Sequence, residues 1–144
     1  MTGEIHFVEG GDLESLIDLE TSRDAINYLM LHQPSCHSDT GEALMQSAKA
    51  CGDWIAFSPS FKRCLYVALV TDRTIFAIGH GQQTVAYRLP EAVRAHALST
   101  GAAEAANIGP DWVRFEIWTP NRPLLDLSHW TLRAYAAVWE RSLP

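Results

Sequence analysis

The residues best suited to chemistry in this chain of 144 residues lie in the stretch FAIGHGQQTVAYRLP, positions 76–90. Gly79-His80-Gly81 has the glycine content of a phosphate loop, in which successive backbone N–H groups converge on an anion. Such loops open onto a helix whose N-terminal dipole adds attraction. Here Thr84 to Arg88 alternate as a strand does, so the same glycines are expected to make a hairpin turn or bulge, where positive φ costs glycine nothing. His80 is then expected on the strand face of Phe76 and Ile78. Arg88, Arg94 and Arg114 form a second set, because a guanidinium fork matches the two oxygens of a carboxylate or phosphate. They converge if the strands carrying Arg88 and Arg114 are neighbours, and with Tyr87, Trp112 and Trp118 they would line a shallow site for a carboxylate or planar ligand. The candidate ligand-binding residues are therefore His80, Arg88, Trp112 and Arg114, set against the plainer reading of a solvent-facing strand.

Other chemistries find less support. His32, Cys36 and His37 in HQPSCH have the residue types of metal ligands, but a tetrahedral zinc site needs a second pair at suitable spacing, and none occurs. Neither metal nor cofactor is expected. Cys36, Cys51 and Cys64 are odd in number and without close pairing, unlike a disulfide framework. Cys64 follows Lys62 and Arg63, whose charge would lower a thiol's pKa, yet it opens an apolar strand where an inert buried thiol is the expectation. Ser58 and Ser60 stand in SPS without the GxSxG elbow of a hydrolase. Glu14, Asp18 and Glu20 fall on a short helix whose acids face water. No catalytic residue is assigned, and a non-enzymatic role is favoured over an enzyme.

The elements that must position these residues follow from local pattern. One domain is expected across 1–144, a helical part at 1–52 and an α+β core at 53–141. Helices are predicted over LESLIDLE (13–20), SRDAINYLMLH (22–32, capped by Ser22 or Thr21 and ended by Pro34) and DTGEALMQSAKACG (39–52, capped by Asp39 or Thr40). Strands follow in DWIAFS, in the near-continuous apolar RCLYVALV, and in TIFAIGH, which returns across the turn TDR. QTVAYRL is a further strand, Pro90 starts a helix running to Gly101, and DWVRFEIW alternates as a half-buried strand. A closing helix begins near Asp126 or Ser128; Trp130 and Tyr135 are expected on different faces of it, one of them free for a dimer or partner contact. This order predicts an α+β fold, a mostly antiparallel sheet with helices packed on one face.

Composition bounds the partners. The net charge is −6, and nine of the eleven basic residues are arginines. That balance argues against a broad phosphate-contacting surface and so against nucleic acid. The longest apolar run, CLYVALV, is seven residues and too short to cross a bilayer. The start MTGEIHFVEGGDLE is acidic, with no basic stretch before an apolar one, so a cytoplasmic location without membrane contact is expected.

The back half, roughly 53 to 141, resembles the MmcQ/YjbR-like family. Phe76-Ala77, Leu89-Pro90-Glu91, Trp112-Val113 and Ala134-Tyr135 fill that family's hairpin, helix-start, strand and last-helix motifs in order. Gly79-His80, Leu89-Pro90 and Trp112-Val113-x-Phe115 are also similar to the luciferase-like domain family of unknown function. The resemblance implies a compact sheet covered by helices, like the secretion-chaperone architecture, and mostly no assigned activity. DNA binding, suggested for the first family, is disfavoured by the acidic balance. The function expected is a small ligand- or protein-binding module, in one form a homodimer; a small-ligand enzyme or sensor using His80, Arg88 and Arg114 in one pocket is the alternative.

Overall fold

The computed structural model describes residues 5–9, 17–58, 65–117 and 126–142, with backbone alone for 5–9 and 140–142. Its strands are β1 (Ile5–Glu9), β2 (Trp54–Ser58), β3 (Val67–Thr71), β4 (Thr74–His80), β5 (Thr84–Arg88), β6 (Ala103–Glu104) and β7 (Trp112–Glu116). Its helices are α1 (Arg23–His32), α2 (Ser38–Ser47), α3 (Glu91–Ser99) and α4 (Leu127–Ser142). The strands make one sheet in the order β1-β2-β3-β4-β5-β7-β6. Every neighbouring pair is antiparallel except β1 and β2, which run parallel. The architecture is α+β with a mostly antiparallel sheet, as expected. β1 was not foreseen, and its pairing with β2 joins the front part of the chain to the sheet.

Both faces of that sheet are buried. Leu44, Phe76, Tyr87, Phe115, Trp130 and Tyr135 belong to a first core, which residues of α2, α3 and α4 cover. Ala25, Ile26 and Leu29 of α1 pack with Val70, Ile78, Ala86 and Trp112 in a second core on the opposite face. The expectation of helices on one face therefore holds for α2, α3 and α4, and α1 departs from it. The cause is legible in β3 and β4, whose runs VALV and TIFAI are buried at every position. A strand apolar on both sides needs cover on both sides.

Two turns set the register. Asp72 and Arg73 join β3 to β4 with φ of 48° and 60°, the left-handed pair whose twist suits a two-residue hairpin. Farther along, the pairing passes from Val70↔Ile75 to Leu69↔Ala77, leaving Phe76 as an extra residue on β4. This bulge puts Phe76 and Ala77 on the first core and returns Ile78 to the second. His80 consequently shares its face with Ile78 and not with Phe76, correcting the strict alternation assumed from sequence.

Helix ends also differ from simple expectation. α1 begins after Ser22, whose hydroxyl makes no cap and instead accepts from the Ile75 N–H at 2.9 Å. It ends at Gln33, φ 42°, just before Pro34. α2 is capped by His37, whose Nδ1 accepts from the Asp39 N–H at 3.1 Å, rather than by Asp39 or Thr40. Of the helix expected at 13–20, residues 17–20 form a bend and turn, in which Asp18 Oδ1 accepts from the Glu20 N–H at 2.9 Å; residues 13–16 lie outside the described residues.

In α4, Trp130 and Tyr135 are both buried in the first core, against the expectation that one faces outward. Five residues span about 140° around a helix, and the core reaches around that arc. Trp130 packs 5.0 Å from the Phe115 ring and Tyr135 lies edge-on to Phe76 at 5.8 Å. No helix among the described residues is long and apolar enough to cross a membrane.

Candidate functional site

Register decides which candidate residues can meet. β4, β5 and β7 are neighbours, with His80 opposite Thr84, Thr84 opposite Glu116, Ala86 opposite Arg114 and Arg88 opposite Trp112. Alternation then places His80, Arg88, Trp112 and Arg114 on the second face, the side covered by α1. They share a face without sharing a pocket.

Trp112 is in the second core at 3% exposure, so it packs against apolar neighbours rather than presenting a ring to a ligand. His80 stands at the far end of the face, its ring edge-on to Tyr28 at 5.8 Å, and Tyr28 in turn lies 5.0 Å from His32. Burial lowers the proton affinity of His80. The positive charge of Arg114 acts in the same direction, and Glu116 opposes both. Burial raises the Tyr28 phenol, with Arg114 partly offsetting it. At neutral pH this end of the face therefore holds a neutral imidazole beside a neutral phenol, flanked by the exposed Arg114 and Glu116.

Arg88 stands at the other end. Its Nη1 donates to the Thr21 carbonyl at 3.0 Å, bringing the β5 terminus against the start of α1. Three cavities meet at this side chain. One of about 400 Å³ is lined by Arg88, Leu89, Pro90, Glu91, Arg94 and Asp111, with Val138 of α4. One of about 280 Å³ runs toward the β3–β4 turn past Asp18, Thr21, Asp72 and Arg73. The third, about 330 Å³, lies over Glu20, Arg23 and Asp24. Neither His80 nor Arg114 lines any of the three.

Arg94, the third arginine of the expected set, does join Arg88. Its Nη1 donates to the Leu89 carbonyl at 3.0 Å and to Asp111 Oδ1 at 3.3 Å, holding it between the start of α3 and the loop before β7. Sequence reasoning missed Glu91 and Asp111 as walls of this trench. The Leu-Pro-Glu signal does place a helix start immediately after Arg88, but nothing local brings the Asp111 loop beside it.

The Gly-His-Gly turn is accounted for by packing. Gly81 has φ 68°, and its N–H is donated to the Ser35 carbonyl while its own carbonyl accepts from the His37 N–H. Thr40 Oγ1 donates to the Gln82 carbonyl at 2.6 Å. The Gly81 amide that a phosphate loop would aim at an anion is thus consumed by the HQPSC segment. Gly79 lies close under α2, where a Cβ would meet Leu44 Cδ2 at 3.3 Å and ask that side chain to give by a few tenths of an ångström.

The remaining chemical candidates are also in structural roles. Cys36 is buried, with its Sγ donating to the His37 carbonyl at 3.3 Å, and His37 caps α2. Among the described residues no group of three or more His, Cys, Asp and Glu is placed to hold a metal ion. Burial pushes the Cys51 thiol up to about 11, far from a thiolate nucleophile. Ser58 is fully buried on β2, while Ser60, Cys64 and Trp118 lie outside the described residues. No family model, curated protein or solved structure matches the chain.

Proposed function

We propose that this chain is a non-enzymatic binding module whose site is the trench around Arg88, and that it takes a small ligand bearing a carboxylate or phosphate. The observation that carries this reading is the convergence of three cavities on one guanidinium, with Arg94 lining the largest of them. A concave, partly apolar surface with guanidinium groups in its walls attracts an acidic group by charge. The buried or structurally engaged state of Cys36, Cys51 and Ser58 supports binding over covalent catalysis. Relationship to the MmcQ/YjbR-like family, on the Phe76-Ala77, Leu89-Pro90-Glu91 and Trp112-Val113 motifs, is part of the same proposal and agrees with a module lacking catalytic groups.

The test is thermal stabilisation by acetate, citrate, inorganic phosphate and free amino acids, in the native chain and in Arg88→Gln. A ligand held at about a hundredfold its Kd stabilises by about 2.7 kcal/mol, which raises Tm by several degrees. At least one compound is expected to shift the native chain and not the variant. Equal shifts in both proteins, with the variant folded by circular dichroism, would remove Arg88 from the site and with it this proposal.

A further inference from the structure

α1 is fastened to the sheet unevenly. At its start, Ser22 Oγ accepts from the Ile75 N–H at 2.9 Å, the Thr21 carbonyl accepts from Arg88, and Thr21 Oγ1 lies 2.9 Å from Thr74 Oγ1. Its last turn rests on packing instead. Of residues 28–32 only Tyr28 and Leu29 are buried, while Met30 and Leu31 are 70% and 80% exposed. The Tyr28 ring packs against both His80 and His32, at 5.8 and 5.0 Å. The turn closes on Gln33, whose φ of 42° is a left-handed conformation that a residue other than glycine adopts only at a cost. The chain is next fixed at Ser35, whose carbonyl accepts from the Gly81 N–H.

His80 therefore packs against a side chain of a loosely held turn, in a setting that resists a charged ring. Around it stand Arg114 and Glu116 from β7, Tyr28 and His32 from α1, and Cys36 and His37 in the segment tied to Gly81. The adjoining stretches of β3 and β5, Val67-Ala68 and Thr84 to Ala86, add no titratable group. Among the described residues Glu116 is the one carboxylate that acts on His80, and it also accepts from Thr84 Oγ1 at 3.3 Å; burial and Arg114 both oppose the imidazolium. A charged ring would gain from water what the closed packing denies it. We infer that the last turn of α1 is an acid-released latch: proton uptake by His80 swings Tyr28 off the sheet and unwinds residues 29–33, while the Thr21-Ser22 end stays in place.

Hydrogen–deuterium exchange read by mass spectrometry, corrected for the intrinsic effect of pH on exchange, tests the latch in the native chain, His80→Gln and His32→Gln. In the open turn His80 titrates near its ordinary value of about 6.5. If the closed ring stays neutral, opening becomes about thirtyfold more frequent at about pH 5 than at about pH 7.5. That rise is expected in the amides of residues 29–33, which include the Gln33 N–H bonded to the Leu29 carbonyl, and not in those of α4. His80→Gln should abolish it and His32→Gln should keep it. In the native chain its midpoint should match the titration of the His80 ring followed by NMR, a reading that needs no variant. A parallel rise in α1 and α4, a rise that persists in folded His80→Gln, a rise lost in His32→Gln, or a midpoint away from the His80 titration each overturns the inference.

Discussion

Tyr87, Thr131 and Ser47 form a hydroxyl chain inside the first core, and its direction can be worked out. Ser47 Oγ lies 2.5 Å from the Leu44 carbonyl, which can only accept, so Ser47 donates there. Thr131 must then donate to Ser47 across 2.7 Å, and Tyr87 to Thr131 across 2.8 Å. The chain ties β5 to α4 and α4 to α2, and it lies where Tyr87 and Thr131 have no exposed surface. Thr131→Val keeps the shape but removes the 2.8 Å partner of the Tyr87 hydroxyl, leaving it the Leu127 carbonyl at 3.5 Å, too long for a good O–H···O bond, and the Ser47 hydroxyl, which also interacts with it. A buried donor left fully orphaned costs about 1–3 kcal/mol, and one left with poorer acceptors part of that, so Thr131→Val should destabilise by about 2 kcal/mol. Tyr87→Phe removes the donor and orphans nothing, and should cost about 1 kcal/mol. The double variant should be more stable than Thr131→Val alone, with a coupling of about 1–2 kcal/mol. Urea unfolding followed by tryptophan fluorescence, with m values held common, measures all three. If the double variant equals the sum of the singles, or Tyr87→Phe costs as much as Thr131→Val, the ordering of donors is refuted.

His80 predicts a pH dependence. Its native pKa is lowered by burial and by Arg114, whereas the unfolded ring titrates near the ordinary value of about 6.5. The unfolded state therefore takes up the proton first, and stability is full above about pH 6.5 and falls as pH drops until the native ring also protonates. His80→Gln should flatten that decline in urea midpoints measured between about pH 5 and 8; parallel curves would contradict it. Cys51, with its thiol pushed up to about 11, should resist iodoacetamide at neutral pH in the folded chain and react once urea unfolds it, as peptide mass mapping will show. Gly81→Ala places a side chain at φ 68° and should cost about 1–2 kcal/mol, read as a lowered urea midpoint; an unchanged midpoint would mean the turn relaxes freely.

Much of the fold was legible because local patterns agreed with it. The β3–β4 hairpin follows from two apolar runs around TDR, β5 and α3 from TVAYR with its Leu-Pro-Glu exit, and α4 from its apolar stripe. Even the two-sided burial of the sheet was present in VALV and TIFAI, since strands with no polar alternation have no solvent face. The candidate site was less legible. Arg88 and Arg114 do lie on neighbouring strands, yet two residues of offset send Arg88 to the trench and leave Arg114 beside His80. Trp112 alternates with Arg114 as read, but the loop carrying Ala105 and Ile108 covers it, and no local signal encodes that cover.

What the amino-acid sequence determined by itself was set by short-range physics: turn residues, strand alternation, a proline-started helix, and a composition that makes a packed acidic domain. The tertiary structure alone decided matters that depend on residues distant in the chain. The extra residue at Phe76 moves His80 to the opposite face from Phe76, because a bulge is defined only against the partner strand β3. The Gly81 amide became a structural donor because Ser35 reaches it from another loop. The trench exists because the end of β5, the turn at Asp72-Arg73, the start of α1 and the flank of α4 meet around Arg88, a convergence that no single segment specifies.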